Sequence, residues 1–309
     1  MRHAPRTSAG WATQRHEARL AWTMVLPALS VVVVVAFGPV LWVFWESLHL
    51  DDLRMPWLGQ RFVGAQNYLE AVSDPRFWGA VGHTLAFAAV SVTIELGVGL
   101  ALAVAVDSMT RGRGIVRTAM LLPWAVPTVV AGLVWRFMFE TPAGLVNTTL
   151  VRSGVVAQPP VWFADPLAAW LPLVLADVWK TTPFVAILLL AGLQGIDRSL
   201  YEAARTDGAS VRQQFTEITL PLLKPALLVA LIFRAVDAFR VFDLIYVMTG
   251  GGPGTATEPI ALYTFSALLE NLRFGFGSAL SVIVFAVTFL LALVAIRLIG
   301  RGALVEPAS

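Results

Sequence analysis

SLYEAARTDGASVRQQFTEITLP, residues 199–221, is the longest polar interval between apolar blocks in the second half of the chain. Its surroundings are unlike it: the 309 residues are 57% hydrophobic and only 14% charged, with a mean hydropathy of +0.74. A soluble domain carries about a quarter charged residues. Long apolar runs on both sides therefore point to an all-α polytopic membrane protein, with the polar interval as an ordered connection between two spans.

The spacing inside the interval predicts two short helices. Ser199 followed three residues later by Glu202 has the pattern of a capping box, in which two side chains satisfy free backbone donors at a helix start. Leu200, Ala203 and Ala204 give that helix an apolar face, and Asp207-Gly208 closes it, since glycine readily takes the left-handed conformation. Ser210 and Gln213 predict a second box and a helix to about Ile218, which Leu220-Pro221 is expected to stop. Two uses fit such an element, an amphipathic elbow at the headgroups or a docking surface. Double capping favours docking, because a mere linker needs no such order.

Working outward, six apolar windows are long enough to cross a bilayer as helices: 22–45, 84–106, 117–139, 167–193, 222–248 and 278–299. The first is too long, and followed by too many others, to be a cleaved signal peptide. Prolines at 27, 39, 123, 127, 172 and 183 predict kinks inside a packed bundle. Lys and Arg divide unevenly between the connections: thirteen lie in the N-terminal tail 1–21, the loops 107–117 and 194–224 and the C-terminal end, against five in the alternate loops. The positive-inside rule then predicts both termini, and the 197–221 loop, on the cytoplasmic side. The predicted organisation is a cytoplasmic tail 1–21, a membrane domain 22–300 and a cytoplasmic tail 301–309.

Two spans flanking the loop carry charges, which cost on the order of 3 kcal/mol each at mid-membrane and survive where they meet partners or water. Asp177, Lys180, Thr181 and Phe184 share one helical face, and so do Arg234, Asp237, Ala238 and Val241. One reading is a ladder of ion pairs, Asp177 with Lys180 and Arg234 with Asp237 and Arg240. The other is a polar cavity for a hydrogen-bonding solute, which suits carboxylates and cationic donors, with Phe184 or Trp179 as an apolar platform. Glu95 reads as a satisfied interhelical polar group and Arg136 as a snorkelling side chain. Trp57, Tyr68 and Trp78 read as interfacial anchors.

Other chemistries lack their residues. The chain has no cysteine, its histidines at 3, 16, 49 and 83 form no HExxH, and no metal site is expected. GxxxxGK[ST] is absent: Lys180-Thr181 has no preceding glycine frame, and Gly250-Gly251-Gly252 reads as an irregular turn where a span ends. A membrane enzyme would need a nucleophile–base or metal set at one depth. An ion-driven secondary transporter could use Asp177 and Asp237 but would leave the ordered loop without a purpose. Nothing resembles a nucleic-acid-binding segment.

Glu202-Ala203-Ala204, then Gly208, Ile218, Leu220 and Pro221, resemble the EAA loop of the permease subunits of bacterial ABC importers. FDLIYVMTGGGPGTATEP, residues 242–259, is similar to a segment of the carbohydrate-importer branch, and with the six spans the resemblance covers roughly residues 20–300. It implies that Glu202, Ala203, Ala204, Asp207 and Gly208 belong to a coupling helix seated on an ATPase. It implies a partner permease, two ATPase subunits that bind ATP and Mg, and a sugar-binding protein outside the membrane facing loops 140–166 and 249–277. The chain itself would hold no cofactor and would be a non-catalytic subunit in the inner membrane, in contact with lipid. The resemblance also places Asp177, Lys180, Thr181, Phe184, Arg234, Asp237, Ala238 and Val241 at positions that line the sugar site of maltose-type permeases. Those permeases use mostly neutral amides, hydroxyls and aromatics there, so the charges argue against maltose. DVWKTTPF (177–184) and FRAVDAFRVFD (233–243) look more like the trehalose importers, with maltose or glycerol phosphate as alternative solutes.

Overall fold

The computed structural model describes residues 9–303, so the outermost parts of the two predicted tails, 1–8 and 304–309, lie outside the described residues. Helix α1, Ala9–Ser47, opens the bundle and packs along α13, Phe274–Ala303, at the other end of the chain. The apolar stretch of α1, Leu20–Ser47, has no buried residue across its most hydrophobic window and turns its side chains outward, as a lipid-facing helix does. A short hairpin, β1 (His49–Leu50) on β2 (Arg61–Phe62), and α2 (Gln66–Ser73) cap that end. Asn67 Nδ2 donates to the carbonyls of Ser47 and His49, both at 2.8 Å. Of the three aromatic residues read as interfacial anchors, Trp57 and Trp78 are exposed. Tyr68 is tied by its hydroxyl to Ser47 Oγ at 2.6 Å.

The centre of the bundle is α3 (Pro75–Ser108) against α7 (Trp170–Gln194). Close helix approach in lipid needs small residues at the contact, because the packing itself supplies the attraction. A methyl group at Gly99 of α3 would sit 2.7 Å from Val185 Cγ1, and one at Gly192 of α7 would sit 2.6 Å from Ala226 Cβ. Val185, Leu189, Leu193 and Leu223 fill the space around these contacts.

Three predicted elements differ in the structure. The span expected over 117–139 is two helices, α4 (Arg113–Ala125) and α5 (Thr128–Phe139), bent by 87°. Pro127 is the cause: it forces Val126 into an extended conformation (φ −69°, ψ 131°), so the first helix cannot continue. The span expected over 222–248 likewise stops at Phe239 and resumes as α11, Asp243–Met248. The loop expected over 249–277 is partly buried. It contains α12, Ile260–Phe265, and a π turn, Ser266–Glu270, with Ile260, Leu262 and Tyr263 packed into the bundle. The run Gly250-Gly251 turns with φ of 61° and 88°, the left-handed region expected of an irregular glycine turn.

Candidate functional site: a looped lever and a charged cavity

The polar interval folds as α8, Arg198–Thr206, then α9, Val211–Gln213, a π turn, Gln214–Thr219, and α10, Leu220–Phe239. The second box is present, with the Ser210 hydroxyl accepting from Gln213 N–H and Gln213 Oε1 accepting from Ser210 N–H at 2.8 Å. The first is not: the N-cap of α8 is Asp197, whose carboxylate accepts from Ser199 N–H at 2.9 Å, so Ser199 lies inside the first turn. Asp197 is extended (φ −65°, ψ 127°) and two residues upstream, where a carboxylate satisfies the free donor before the serine can. That bond holds the Asp197 carboxyl below the usual carboxylate range. Gly208, at φ 82°, closes α8 with Ala209 N–H bonded to Ala204 O and Gly208 N–H to Arg205 O, a Schellman pair.

Leu220-Pro221 does not stop the second helix. Backbone winding is continuous from Val211 to Phe239, through a π turn just before the proline in which Leu220 N–H reaches Phe215 O. Pro221 follows just after the π turn, and its missing N–H leaves the continuous helix short of one backbone bond. Tyr201 O–H and Thr219 Oγ1, 2.9 Å apart, tie α8 to this turn. Glu202, Ala203 and Asp207 are exposed, and Ala204 is half-buried. Between α8 and the ends of α3 and α7 lies a groove of about 670 Å³, whose walls include Asp107, Tyr201, Glu202 and Arg205. From Val211 onward the polar interval is thus built in one piece with a membrane helix, and α8 is joined to it through the Gly208 turn and the Tyr201–Thr219 contact.

Toward the C-terminal end of α10 the structure gathers seven of the eight charged-stripe candidates. Asp177, Lys180, Thr181, Arg234, Asp237, Ala238 and Val241 line one cavity of about 370 Å³. Phe184 does not; it stacks behind the cavity wall on Trp124, ring centroids 6.1 Å apart. Trp179 packs against Trp135 instead. Trp124 and Thr128, on either side of the α4–α5 bend, line the cavity and carry no signal in the sequence beyond the neighbouring proline.

Of the predicted pairings, Arg234 with Asp237 is present and Asp177 with Lys180 is not. Arg234, 3% exposed, is the hub: its Nε donates to Glu95 Oε2 at 2.5 Å and its Nη2 to Glu95 Oε1 at 2.9 Å. Nη2 also reaches Asp177 Oδ2 at 3.2 Å, and Nη1 donates to Asp237. Glu95, fully buried on α3, is therefore more than a satisfied interhelical group: it is the main anchor of Arg234. Lys180 does not pair with Asp177. Its ammonium donates to Val126 O at 2.9 Å and Trp124 O at 3.3 Å, the carbonyls that the broken α4 leaves free. Arg136, exposed near the end of α5, donates from its guanidinium to Val247 O at 3.1 Å, in the last turn of α11. Among the described residues no group of three or more His, Asp or Glu is arranged to hold a metal ion.

Such a site can accept and donate many hydrogen bonds at once while burying little free charge, which suits a polyhydroxylated neutral solute.

The comparisons with known proteins agree with this architecture. The family described as "Binding-protein-dependent transport system inner membrane component" matches residues 96–304. A trehalose/maltose transport system permease protein of Thermococcus litoralis is 46% identical over 92% of this chain and 95% of its own. A trehalose transport system permease protein of Mycobacterium tuberculosis is 40% identical over 93% of this chain and 91% of its own. Among solved structures, a bacterial ABC transporter involved in the import of the acidic polysaccharide alginate has a chain of the same fold. Its TM-score is 0.80 at 22% identity, covering 95% of this chain and 99% of that one.

Proposed function

The chain belongs to the binding-protein-dependent transport system inner membrane components, and from that premise we propose that it is the permease of an ATP-driven importer of a neutral disaccharide, with trehalose foremost. The observation that carries the reading is the cavity itself, where Asp177, Asp237, Arg234 and Lys180 converge on one polar space mid-bundle. Sugar hydroxyls would accept from the cations and donate to the carboxylates, while the apolar wall at Ala238 and Val241 meets the ring faces. The two named trehalose permeases among the relatives favour the same solute.

The lever is the proposed route for energy. The ATP and Mg would be bound by two separate ATPase subunits, and α8 would dock on one of them through Glu202, Ala203, Ala204, Asp207 and Gly208. Closure of the ATPases would then move α8, and the unbroken helix from Val211 to Phe239 would carry that motion to Arg234 as a rigid body. A second permease subunit would complete the path, and a sugar-binding protein would deliver the solute. The excess of Arg and Lys in the tails and in loops 107–117 and 194–224 places both termini on the cytoplasmic side in this scheme.

The test is sugar-stimulated ATP hydrolysis by the reconstituted complex across a disaccharide panel that includes trehalose and maltose. Stimulation by trehalose is the expected result, with Glu202→Lys leaving the complex inserted but hydrolysis no longer linked to uptake. Stimulation by none of the panel overturns the sugar assignment, and normal uptake by Glu202→Lys in intact cells overturns the coupling role of α8.

A further inference from the structure

One side chain in the charged cluster has no place in a simple sugar site. Glu95 does not line the cavity, and its hydrogen bonds go to Arg234 and to Thr181 Oγ1, 2.7 Å from Oε1. Arg234 already meets two carboxylates on the cavity side, Asp177 and Asp237. A third, wholly buried, exceeds what pairing one guanidinium requires, and taking a carboxylate out of water is unfavourable by several kcal/mol before any partner is counted. A glutamine would fill the same volume without that charge.

We propose that Glu95 sets the charge selectivity of the cavity, making it receptive to neutral sugars and closed to anionic ones. The inference rests on the cavity being the sugar path. Glu95 occupies the Nε/Nη2 edge of Arg234, the fork that otherwise grips a phosphate or carboxylate with two parallel hydrogen bonds. Of the five guanidinium hydrogens, four are directed at carboxylate oxygens, and the remaining one on Nη1 is left for a hydroxyl. Lys180, the other cation of the cluster, is held by the carbonyls of Trp124 and Val126. Glu95, Asp177 and Asp237 thus outnumber Arg234 and Lys180 by one acid, and Arg240 and Asp243 in the cavity lining offset each other. If the three acids share one proton, the cluster is neutral; in neither state is it cationic. Removing the charge of Glu95 alone loosens its hold on the fork, one acceptor oxygen remaining of two, and shifts the cluster by one unit toward positive charge.

The experiment pairs two ligands that differ by one charged group. Radiolabelled trehalose and trehalose 6-phosphate are bound at equilibrium to the reconstituted complex of both permeases and ATPases. The sugar-binding protein is omitted so that its own selectivity does not filter the ligands. Wild type is expected to bind trehalose, and the phosphate ester at least about tenfold more weakly, as an added like charge within a few ångströms at an intermediate dielectric implies. Glu95→Gln should shrink that preference by about tenfold, and Glu95→Asp, which keeps the charge, should retain most of it. A merely structural Glu95 would weaken both ligands together and leave their ratio alone, so an unchanged ratio in a well-assembled Glu95→Gln complex overturns the inference. If Glu95→Gln fails to assemble, wild type decides: equal affinity for the two ligands overturns it as well. A wild-type complex that binds neither ligand removes the sugar path, and this inference with it.

Discussion

The two ends of the lever hold charge in opposite ways. At its start, charged and polar residues are exposed and ordered by near neighbours: Ser210 bonds Gln213, and Gly208 turns the chain with nothing within 4 Å of where a side chain would stand. Near its far end, Arg234 is buried and ordered by residues distant in the chain, Glu95 and Asp177, which are 139 and 57 positions away. Exposed, locally capped charges can be exchanged with modest loss, because water replaces what is removed. Buried charges stand or fall together.

Replacing Arg234 is the sharpest way to break this contrast. Arg234→Met should leave three carboxylates facing one another without their cation, a loss of about 3–5 kcal/mol, read as a collapse of the thermal midpoint of the detergent-purified protein. Arg234→Met combined with Glu95→Met should recover part of it, since replacing both partners of a buried pair removes the stranded charge. A midpoint in Arg234→Met close to wild type would show that the hub holds nothing together.

Two glycines sharpen the comparison at intermediate scale. Gly192→Leu pushes atoms into Ala226 and Leu223, whose Cδ1 would lie 2.9 Å from even a first methyl. The expected loss is about 1–3 kcal/mol, seen as a lower thermal midpoint. Gly208→Val meets open space, so only the left-handed backbone opposes it, about 1–2 kcal/mol. The two variants should therefore separate by assay. Gly192→Leu should lower the thermal midpoint and leave coupling intact in what assembles, whereas Gly208→Val should lower it less and in addition uncouple ATP hydrolysis from transport.

How much of this was legible follows the same division. Apolar runs announce spans because lipid demands them, and the Ser210 box and the Gly208 turn are local enough to read off three or four letters. The 87° bend was visible only as Pro127, since a proline in a membrane helix can kink it slightly or break it, and tertiary packing decides which. The π turn before Pro221 has no letter of its own. Asp177 and Asp237 stand out by being charged in an apolar run, and three-residue spacing finds Arg234 for Asp237 but the wrong partner for Asp177. Three-residue spacing suggested Asp177 with Lys180, whereas the free carbonyls of Trp124 and Val126 claim the lysine and Arg234 takes the aspartate. Glu95 carries the same signal and reads as merely satisfied, because nothing in its neighbourhood points to a partner 139 positions away.

The smallest effect concerns which residue caps α8, where sequence and structure disagree. If Asp197 is the cap, Asp197→Ala should speed amide hydrogen exchange in the first turn of α8, relative to intrinsic rates, while Ser199→Ala leaves it nearly unchanged. If the serine caps, the order reverses. A pH series separates them further. The Ser199 N–H lowers the folded pKa of Asp197, so the cap's contribution is fully present above the unfolded value of about 3.9. It is lost as pH falls through the lower, folded value. Protection of the first turn should therefore be flat from neutral pH down to about 5 and decline below about 4. Asp197→Ala should abolish that decline, because it leaves no carboxylate there to protonate, whereas Ser199→Ala should keep it, because the backbone donor survives the substitution.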